Sequence, residues 1–598
     1  MRTALEFFDA TVAAVAAGGT PPDPTRMLER LDGVPRELPP RSAVEPAADK
    51  LSIALVCREY PPETAWGGMA TFTYHLAHGL ADAGHRVAVI TGGRPLVRQD
   101  HDGRVDVVQI EPRLGGSRDS FEGLNRRGWL TYGPLVFLHG LGAVRAIAAL
   151  EERHGPFDVL DLADHAADGL APALYCHGPR TVRLYSPWAL LAGMGLYGDA
   201  GNEAAVPFLE SALLRRATLL TSPSVDLAER TMTLFDLHSP FAMVPNPIDA
   251  DHFRPAASRE GKVRVCFVGR LEERKGIHTL LAAIPAVLAA SPDVEFEIIG
   301  PDDDGLADTV APEHRGRVHF QERVPLSELQ LVYQRSSVAV VPSLYDNSPY
   351  TCIEPMACGI PVIGTSAGGT AEYVIDGETG IIVPARDHEA LAAAILRLAN
   401  DAGLRERFGS AGRVHVERNF ELHAVAGRME AAYRLAIAGG GKPWEASQVV
   451  RPGFNVERPA LNGVTALVLG GMDDGDLVSQ TVRSAQGEGV EVLVVWDGPY
   501  PIGFGGARAT GSSRHAGSDA GRILPALLSE CFLVLRAGDV LKAGSVDRAR
   551  TALVESENVA VVVDGVRLLC TSAARGLTLA DASSWDEVLD RIAARQRF

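Results

Sequence analysis

The stretch "YDNSPYTCIEPMACG", residues 345–359, sets the carboxylates Asp346 and Glu354 eight positions apart, between the apolar runs 338–341 and 361–364. A core needs neither acid there. Carboxylates accept hydroxyl protons, and the free N–H groups of a helix start take phosphate oxygens. Together they suit a ligand that carries both hydroxyls and phosphates. Ser348 and Pro349 read as an N-cap and a first helical residue, whereas Pro355 argues for a helix that starts later. Taken singly, Asp346 also fits a turn aspartate and Glu354 a residue stabilised by the helix dipole.

Other chemistry-bearing residues stand at similar places. In "VGRLEERKG", residues 268–276, Arg270 and Lys275 follow directly on an apolar run. Paired cations suit a diphosphate: the guanidinium can contact it bidentately and the ammonium acts as a point charge. The chain has only five lysines, so composition alone does not readily put one there. Glu272, Glu273 and Arg274 read as the solvated part of the turn. Gly67 and Gly68 lie between "IALVC" and "MATFTYHLAHGL". There they permit either close backbone approach to an anion or a plain tight loop. His165, in "DVLDLADHAADG", follows another strand-like run. It fits a structural histidine as well as a catalytic one.

These residues need strands and helices behind them. "LSIALVC", the helical "MATFTYHLAHGLADAG" and "HRVAVIT" form a βαβ pattern, and "DVLDLAD", "TVRLYS" and "ATLLTSPS" continue it. Near Pro245 the pattern restarts with "VRVCFVG", "EFEIIG", "VHFQERV", "VAVVPS", "PVIGT" and "GIIVPA". The expected architecture is α/β, with two doubly wound Rossmann-like domains, 51–244 and 245–438. Residues 1–50 read as a helix and a Pro-rich arm that serves as linker or surface wrap. Residues 439–462 read as a linker, and 463–598 as a third, smaller α/β unit. In open α/β sheets ligands bind beyond the carboxyl ends of strands, where every residue named above falls.

The 598 residues carry a formal charge of −18. That argues against a general nucleic-acid or anionic-membrane binder, but not against a local basic pocket. None of the seven cysteines forms a C-x-x-C pair and most lie in apolar runs, which predicts reduced, buried thiols and a cytoplasmic protein. Glu6 and Asp9 interrupt the segment where a signal peptide would be apolar. No apolar run reads as long enough to span a bilayer; a peripheral membrane contact stays open.

The set "GGMATFTYHLAHGLADAGHRVAVIT", "VPNPIDADHFRP", "VGRLEERKGIHTLL" and "PSLYDNSPYTCIEPMACGIPVIGTSAGGTAEYVIDGETGIIV" occurs in that order over 51–438. It resembles the retaining nucleotide-sugar glycosyltransferases of family 4, which have the two-domain GT-B fold. The resemblance implies transfer of a hexosyl unit from a nucleotide diphosphate sugar, with retention of configuration and without a metal or other cofactor. Asp346 and Glu354 stand at the two positions of that family's Glu-x7-Glu motif. By resemblance, Glu354 binds the ribose hydroxyls and Asp346 approaches the donor sugar. Backbone N–H groups of Ser348, Tyr350 and Thr351 hold sugar and diphosphate. Arg270 and Lys275 hold the diphosphate, Gly67 and Gly68 cover it, and His165 lies by the sugar. Aspartate at 346 departs from the usual glutamate and is one methylene shorter. Pro349 also removes one possible backbone donor.

The third unit resembles, through "VEVLVVWDG" and "FLVLRAGDVLKAGSVDRA", the nucleotide-binding half of family 2 glycosyltransferases. Their D-x-D metal motif falls at Arg536-Ala537-Gly538, which carries neither carboxylate. That implies a catalytically dead appendage. Two other functions fit the same residues: a nucleotide-sugar epimerase of the same fold, and a pseudoenzyme that binds nucleotide sugar without transfer. The motifs leave the donor sugar and base open, and the acceptor among a glycan, a lipid and a small molecule.

Overall fold

The computed structural model describes residues 2–35, 49–62, 67–114, 132–193, 206–237, 241–257 and 261–439, and beyond 464 mainly six strands. The first sheet has eight strands. Their order is Phe241–Met243, Leu219–Ser222, Arg180–Arg183, Val159–Ala163, Ser52–Val56, Arg86–Gly92, Val105–Ile110 and Leu96–Asp100. Pairing is parallel except at the Leu96–Asp100 edge. All residues of Ser52–Val56 are buried, as expected of a parallel strand covered on both faces.

The second sheet is wholly parallel. Its order is Val318–Gln321, Glu295–Ile299, Arg264–Val268, Val338–Val341, Val362–Thr365 and Gly380–Val383. The order reverses between Arg264–Val268 and Val338–Val341. Ligands of doubly wound sheets sit at such a reversal, and the loops after these two strands carry Arg270, Lys275 and Asp346. The expected pair of Rossmann-like domains is present.

The helix Leu422–Ala438 follows the second domain in sequence and packs on the first. Its Val425, Met429, Tyr433 and Ala436 share a core with Phe72, Leu76 and Leu80, and Tyr433 Oη donates to Asp161 Oδ2 at 2.7 Å. The chain thus crosses the interdomain boundary a second time.

The N-terminal segment is more than a linker. Ala4 and Phe8, four residues apart on the helix Arg2–Ala16, pack into the first domain's core, as do Met27, Leu31 and Val34. Leu31–Asp32 pairs antiparallel with Arg113–Leu114. The Pro-rich stretch 36–48 lies outside the described residues.

One helix, Gly133–His154, does meet the length and apolarity needed to cross a membrane, contrary to the sequence reading. Most of it is enclosed in the first domain's core, where Phe137, Leu141 and Ile147 pack beneath the sheet.

The third sheet runs Arg508–Gly511, Glu491–Asp497, Val464–Gly471, Cys531–Arg536, Val566–Cys570 and Ala560–Val563. Its first four strands are parallel, and Val566–Cys570 runs antiparallel to both neighbours. Arg536 ends a strand; Ala537 and Gly538 lie outside the described residues.

Candidate active site

Both domains turn loops from their strand ends toward one another. Asn347 Nδ2 donates across the boundary to the carbonyl of Tyr185. Tyr373 Oη donates to the carbonyl of Pro223 at 3.0 Å. Glu372 accepts from the backbone N–H of Val225 at 2.7 Å and of Asp226 at 2.8 Å. These N–H groups open the helix Val225–Leu234, whose first turn has no internal acceptors. Ser224 takes a third, from Leu227. A carboxylate of one domain therefore caps a helix of the other, with the favourable sign for the helix dipole.

Beneath these contacts runs a buried polar relay. Arg183 donates to Val244 O and to Asn246 Oδ1, 3.1 Å away, and lies 4.1 Å from the Phe72 ring centroid. Asn246 Nδ2 donates to Ser348 O at 3.1 Å. Tyr373 Oη receives the Asn246 N–H and gives its own proton to Pro223 O, so Ser348 Oγ is the donor in its 2.6 Å bond to Tyr373. Ser348 was expected to cap a helix starting at Pro349. The helix is Tyr350–Ala357, Pro349 precedes it, and the serine hydroxyl is committed to Tyr373 instead. The helix does start later than Pro349, by one residue, and Pro355 lies inside it.

Lys275 Nζ is ion-paired with Asp346 Oδ2. Gly276 makes this possible. Its φ is +73°, and a Cβ there would stand 1.8 Å from the carbonyl oxygen of Pro342, so only glycine lets the 271–276 turn press onto the strand end that leads to Asp346. Burial works to raise the Asp346 pKa. Lys275 and Arg274 beside it, with hydrogen bonds from Lys275 and the Ser348 N–H, outweigh burial and hold the carboxyl below its usual range. Burial lowers the Lys275 pKa against the opposing pull of Asp346. The Ser348 N–H, expected to face ligand, is thus given to Asp346. Tyr350 and Thr351 are the first two helical residues, whose N–H groups lack an acceptor one turn back.

Arg270 stands apart from Lys275. Its side chain is 65% exposed and lies 3.3 Å from Glu272. Arg274, expected to be solvated, instead donates to Tyr345 O and Glu272. The reason is the same turn, which folds Arg274 back onto the loop carrying Asp346. Glu354 is 5% exposed and accepts the Tyr333 hydroxyl proton at 2.7 Å. Burial, opposed by that hydrogen bond, pushes its carboxyl up to about 7.

On the first domain, Gly67 precedes the helix Gly68–Asp82, and a Cβ on Gly68 would meet open space. His165 opens a short 3-10 turn just past the strand Val159–Ala163. Its Nδ1 lies 2.9 Å from Ser186 O. A carbonyl only accepts, so Nδ1 carries the proton and Nε2 keeps a lone pair. Burial lowers the imidazole pKa and keeps it neutral. Among the described residues, no three His, Cys, Asp or Glu side chains converge to hold a metal ion.

Two family models match this region. Residues 66–252 match the model described as Glycosyltransferase Family 4, and residues 249–415 match the model described as Glycosyl transferases group 1. Residues 66–415 are thus glycosyltransferase family 4-like. A glycogen synthase of Mycobacterium tuberculosis is 28% identical over 410 residues, which are 66% of this chain and 97% of that protein. A phosphatidyl-myo-inositol mannosyltransferase of Mycolicibacterium smegmatis is 26% identical over 388 residues, 63% of this chain and 92% of that protein. Among solved structures, sucrose-phosphate synthase from Thermosynechococcus elongatus superposes with a TM-score of 0.54 at 24% identity, over 65% of this chain and 100% of that one. That likeness shows the GT-B fold.

Of this family 4-like site, the sequence missed Tyr333, Arg183, Asn246, Glu372 and Tyr373. Arg183 had a legible signal, because it stands between Val182 and Leu184 in the strand-like run "TVRLYS", and a charged residue there needs a partner. Tyr333 had none, since it occupies an apolar position of an amphipathic helix.

Proposed function

We propose that this protein transfers a hexosyl unit from a nucleoside diphosphate sugar to an acceptor, with retention of configuration and without a metal ion. The observation that carries the reading is the arrangement at the second sheet's reversal point. Lys275 with Asp346, and Glu354 with Tyr333, flank the start of the helix Tyr350–Ala357. The two family matches support it.

In this reading the nucleotide ribose hydroxyls donate to Glu354, which Tyr333 orients. The diphosphate meets the first-turn N–H groups of Tyr350 and Thr351 and the cations Lys275 and Arg270, and Gly67 and Gly68 leave room above it. As the sugar–phosphate bond breaks, negative charge grows on the leaving diphosphate. Lys275, already in a water-poor setting, offsets that charge more strongly than an exposed cation could. Arg270, now extended toward solvent, would need to swing inward. Asp346 and His165 sit toward the sugar.

The test is a thermal-shift screen against nucleoside diphosphate sugars, followed by NMR of products formed with and without EDTA. A ligand that binds only the folded state raises the transition temperature. The expected product is a new glycoside with the donor's anomeric configuration, formed equally well with chelator. Inverted product, an epimerised sugar nucleotide, loss of turnover in EDTA, or binding without turnover across a broad acceptor panel would overturn the reading.

A further inference from the structure

Behind His165 sits an acid that the transfer chemistry above does not use. Glu210, on the helix Val206–Leu214, is 0% exposed. Its Oε1 accepts the N–H groups of Ala166 at 2.9 Å and Trp188 at 2.6 Å, and its Oε2 accepts that of Ala189 at 3.0 Å. These donors belong to two separate segments: Ala166 to the 3-10 turn that follows the strand Val159–Ala163, and Trp188 and Ala189 to the start of the helix Trp188–Gly193, where it leaves the loop that follows Arg180–Arg183. Both loops leave carboxyl ends of the first sheet, on the side facing the second domain.

The same two loops are joined twice more. Tyr185 N–H donates to Asp164 Oδ1 at 2.8 Å, and His165 Nδ1 donates to Ser186 O. The second loop also touches the donor side, because Tyr185 O receives Asn347, the neighbour of Asp346. Glu210 therefore grips the backbone on both sides of the His165–Ser186 hydrogen bond that orients the imidazole.

The backbone there is strained. Ala166 and Ala167 have φ of +52° and +64°. Left-handed conformations cost a residue with a Cβ about 1–2 kcal/mol each, and persist only where the surroundings over-determine them. The N–H that Glu210 holds belongs to Ala166 itself. Release of that N–H would let Ala166 relax, and relaxation would turn His165 away from Ser186.

We propose that Glu210 is a positioning residue for sugar transfer: it clamps the two loops so that His165 presents an unprotonated Nε2 to the crevice. This rests on the sugar-transfer reading of the crevice, although the clamp itself is a geometric statement that can be tested without turnover. Glutamine in its place would turn an amide NH2 toward one of the three N–H groups, and the clamp would lose at least one of its bonds.

The experiment uses the full-length protein with nitrogen-labelled histidine, and assigns the His165 signals by His165→Ala. The wild type should show His165 as the neutral tautomer with the proton on Nδ1. Glu210→Gln should mix the two tautomers, and should lower kcat about 10- to 100-fold, the scale of an ångström of misplacement, with donor KM little changed. Glu210→Gln should cost almost nothing further in a His165→Ala background, because it acts through His165. A wild-type His165 protonated on Nε2 would overturn the proposal, as would unchanged kcat in Glu210→Gln, or a full additive loss in the double variant. If Glu210→Gln does not fold, Glu210→Asp replaces it, since its shorter arm can reach only one loop. If the wild type transfers no sugar from any donor, the functional reading fails, and the tautomer spectra alone decide the clamp.

Discussion

Lys275 and Asp346 form an ion pair across the turn that joins the second sheet's reversal point to its ligand loop. The family resemblance gave the cation to the diphosphate and the acid to the sugar. The structure shows each as the other's partner, so their roles are coupled. Removing one leaves the other in a poor solvent. Lys275→Ala and Asp346→Asn should each cost about 3 kcal/mol of stability, the low end for a broken buried pair because the lysine keeps some exposure. Lys275→Met combined with Asp346→Asn should recover much of that loss yet stay inactive. Urea unfolding and initial rates measure both. Single variants as stable as wild type would show that the pair carries no structural load.

The positions of Asp346, Lys275 and His165 were legible because each lies in the loop past an apolar run, and a polar residue just past a buried strand stands at the sheet's ligand edge; Glu354 lies further on, within the helix Tyr350–Ala357. Their partners were not. Nothing local says that Lys275 folds toward Asp346 rather than solvent; that follows from Gly276 pressing on Pro342. Glu372 reads as an ordinary helix acid until the other domain supplies the N–H groups of Val225 and Asp226. The helix Leu422–Ala438 shows an apolar face, but periodicity does not say which sheet receives it. The docking of Phe8 was hidden for the same reason. The alternation of strands and helices was enough for the two-domain architecture, because parallel strands buried on both faces leave few other arrangements.

Glu354 makes stability and binding depend on pH in opposite ways. Its carboxyl rises from 4.5 in a free chain to about 7 when folded, because of burial. The folded protein therefore holds this proton more tightly. The stability it contributes is whole below pH 4.5 and is lost as pH rises to about 7. Glu354→Gln should match wild type near pH 4.5 and exceed it at pH 8 by on the order of 3 kcal/mol. Nucleotide binding should run the other way, since ribose hydroxyls donate best to a carboxylate. Wild-type affinity for a nucleoside diphosphate should rise through neutrality relative to the Gln variant. Calorimetry and thermal melts across this range check both signs; parallel curves for the two proteins would remove Glu354 from the ribose site.

The Glu372 cap predicts a domain-level effect. Glu372→Ala leaves two N–H groups at the interdomain boundary without their acceptor, a loss of about 1–3 kcal/mol. It should also loosen the domain pair, seen as a larger radius of gyration in small-angle scattering and a higher donor KM. Asp387→Ala is the control, because Asp387 caps a helix within the second domain by accepting from Ala390. It should cost about 1 kcal/mol with no change in scattering. If the two variants scatter alike, the cross-domain cap does not hold the domains together.

Asp346→Glu asks whether the short acid is an incidental loss or part of a fitted site. The carboxylate is buried, bonded to Lys275 and the Ser348 N–H, and its loop is clasped from behind. Gly369 donates to Asp346 O at 2.8 Å, and a Cβ on Gly369 would stand 2.0 Å from Asn347 O, so this loop has little freedom to retreat. An added methylene must then displace Lys275 or strain the side chain, at about 1–3 kcal/mol. Asp346→Glu should lower kcat while affinity for the bare nucleoside, whose ribose depends on Glu354 and which carries no phosphate for Lys275, stays near wild type. Asp346→Asn should also slow transfer and spare nucleoside affinity. Initial rates beside calorimetry separate the two quantities. A variant Asp346→Glu faster than wild type would mean that the sugar, rather than Lys275, is the partner the longer acid finds.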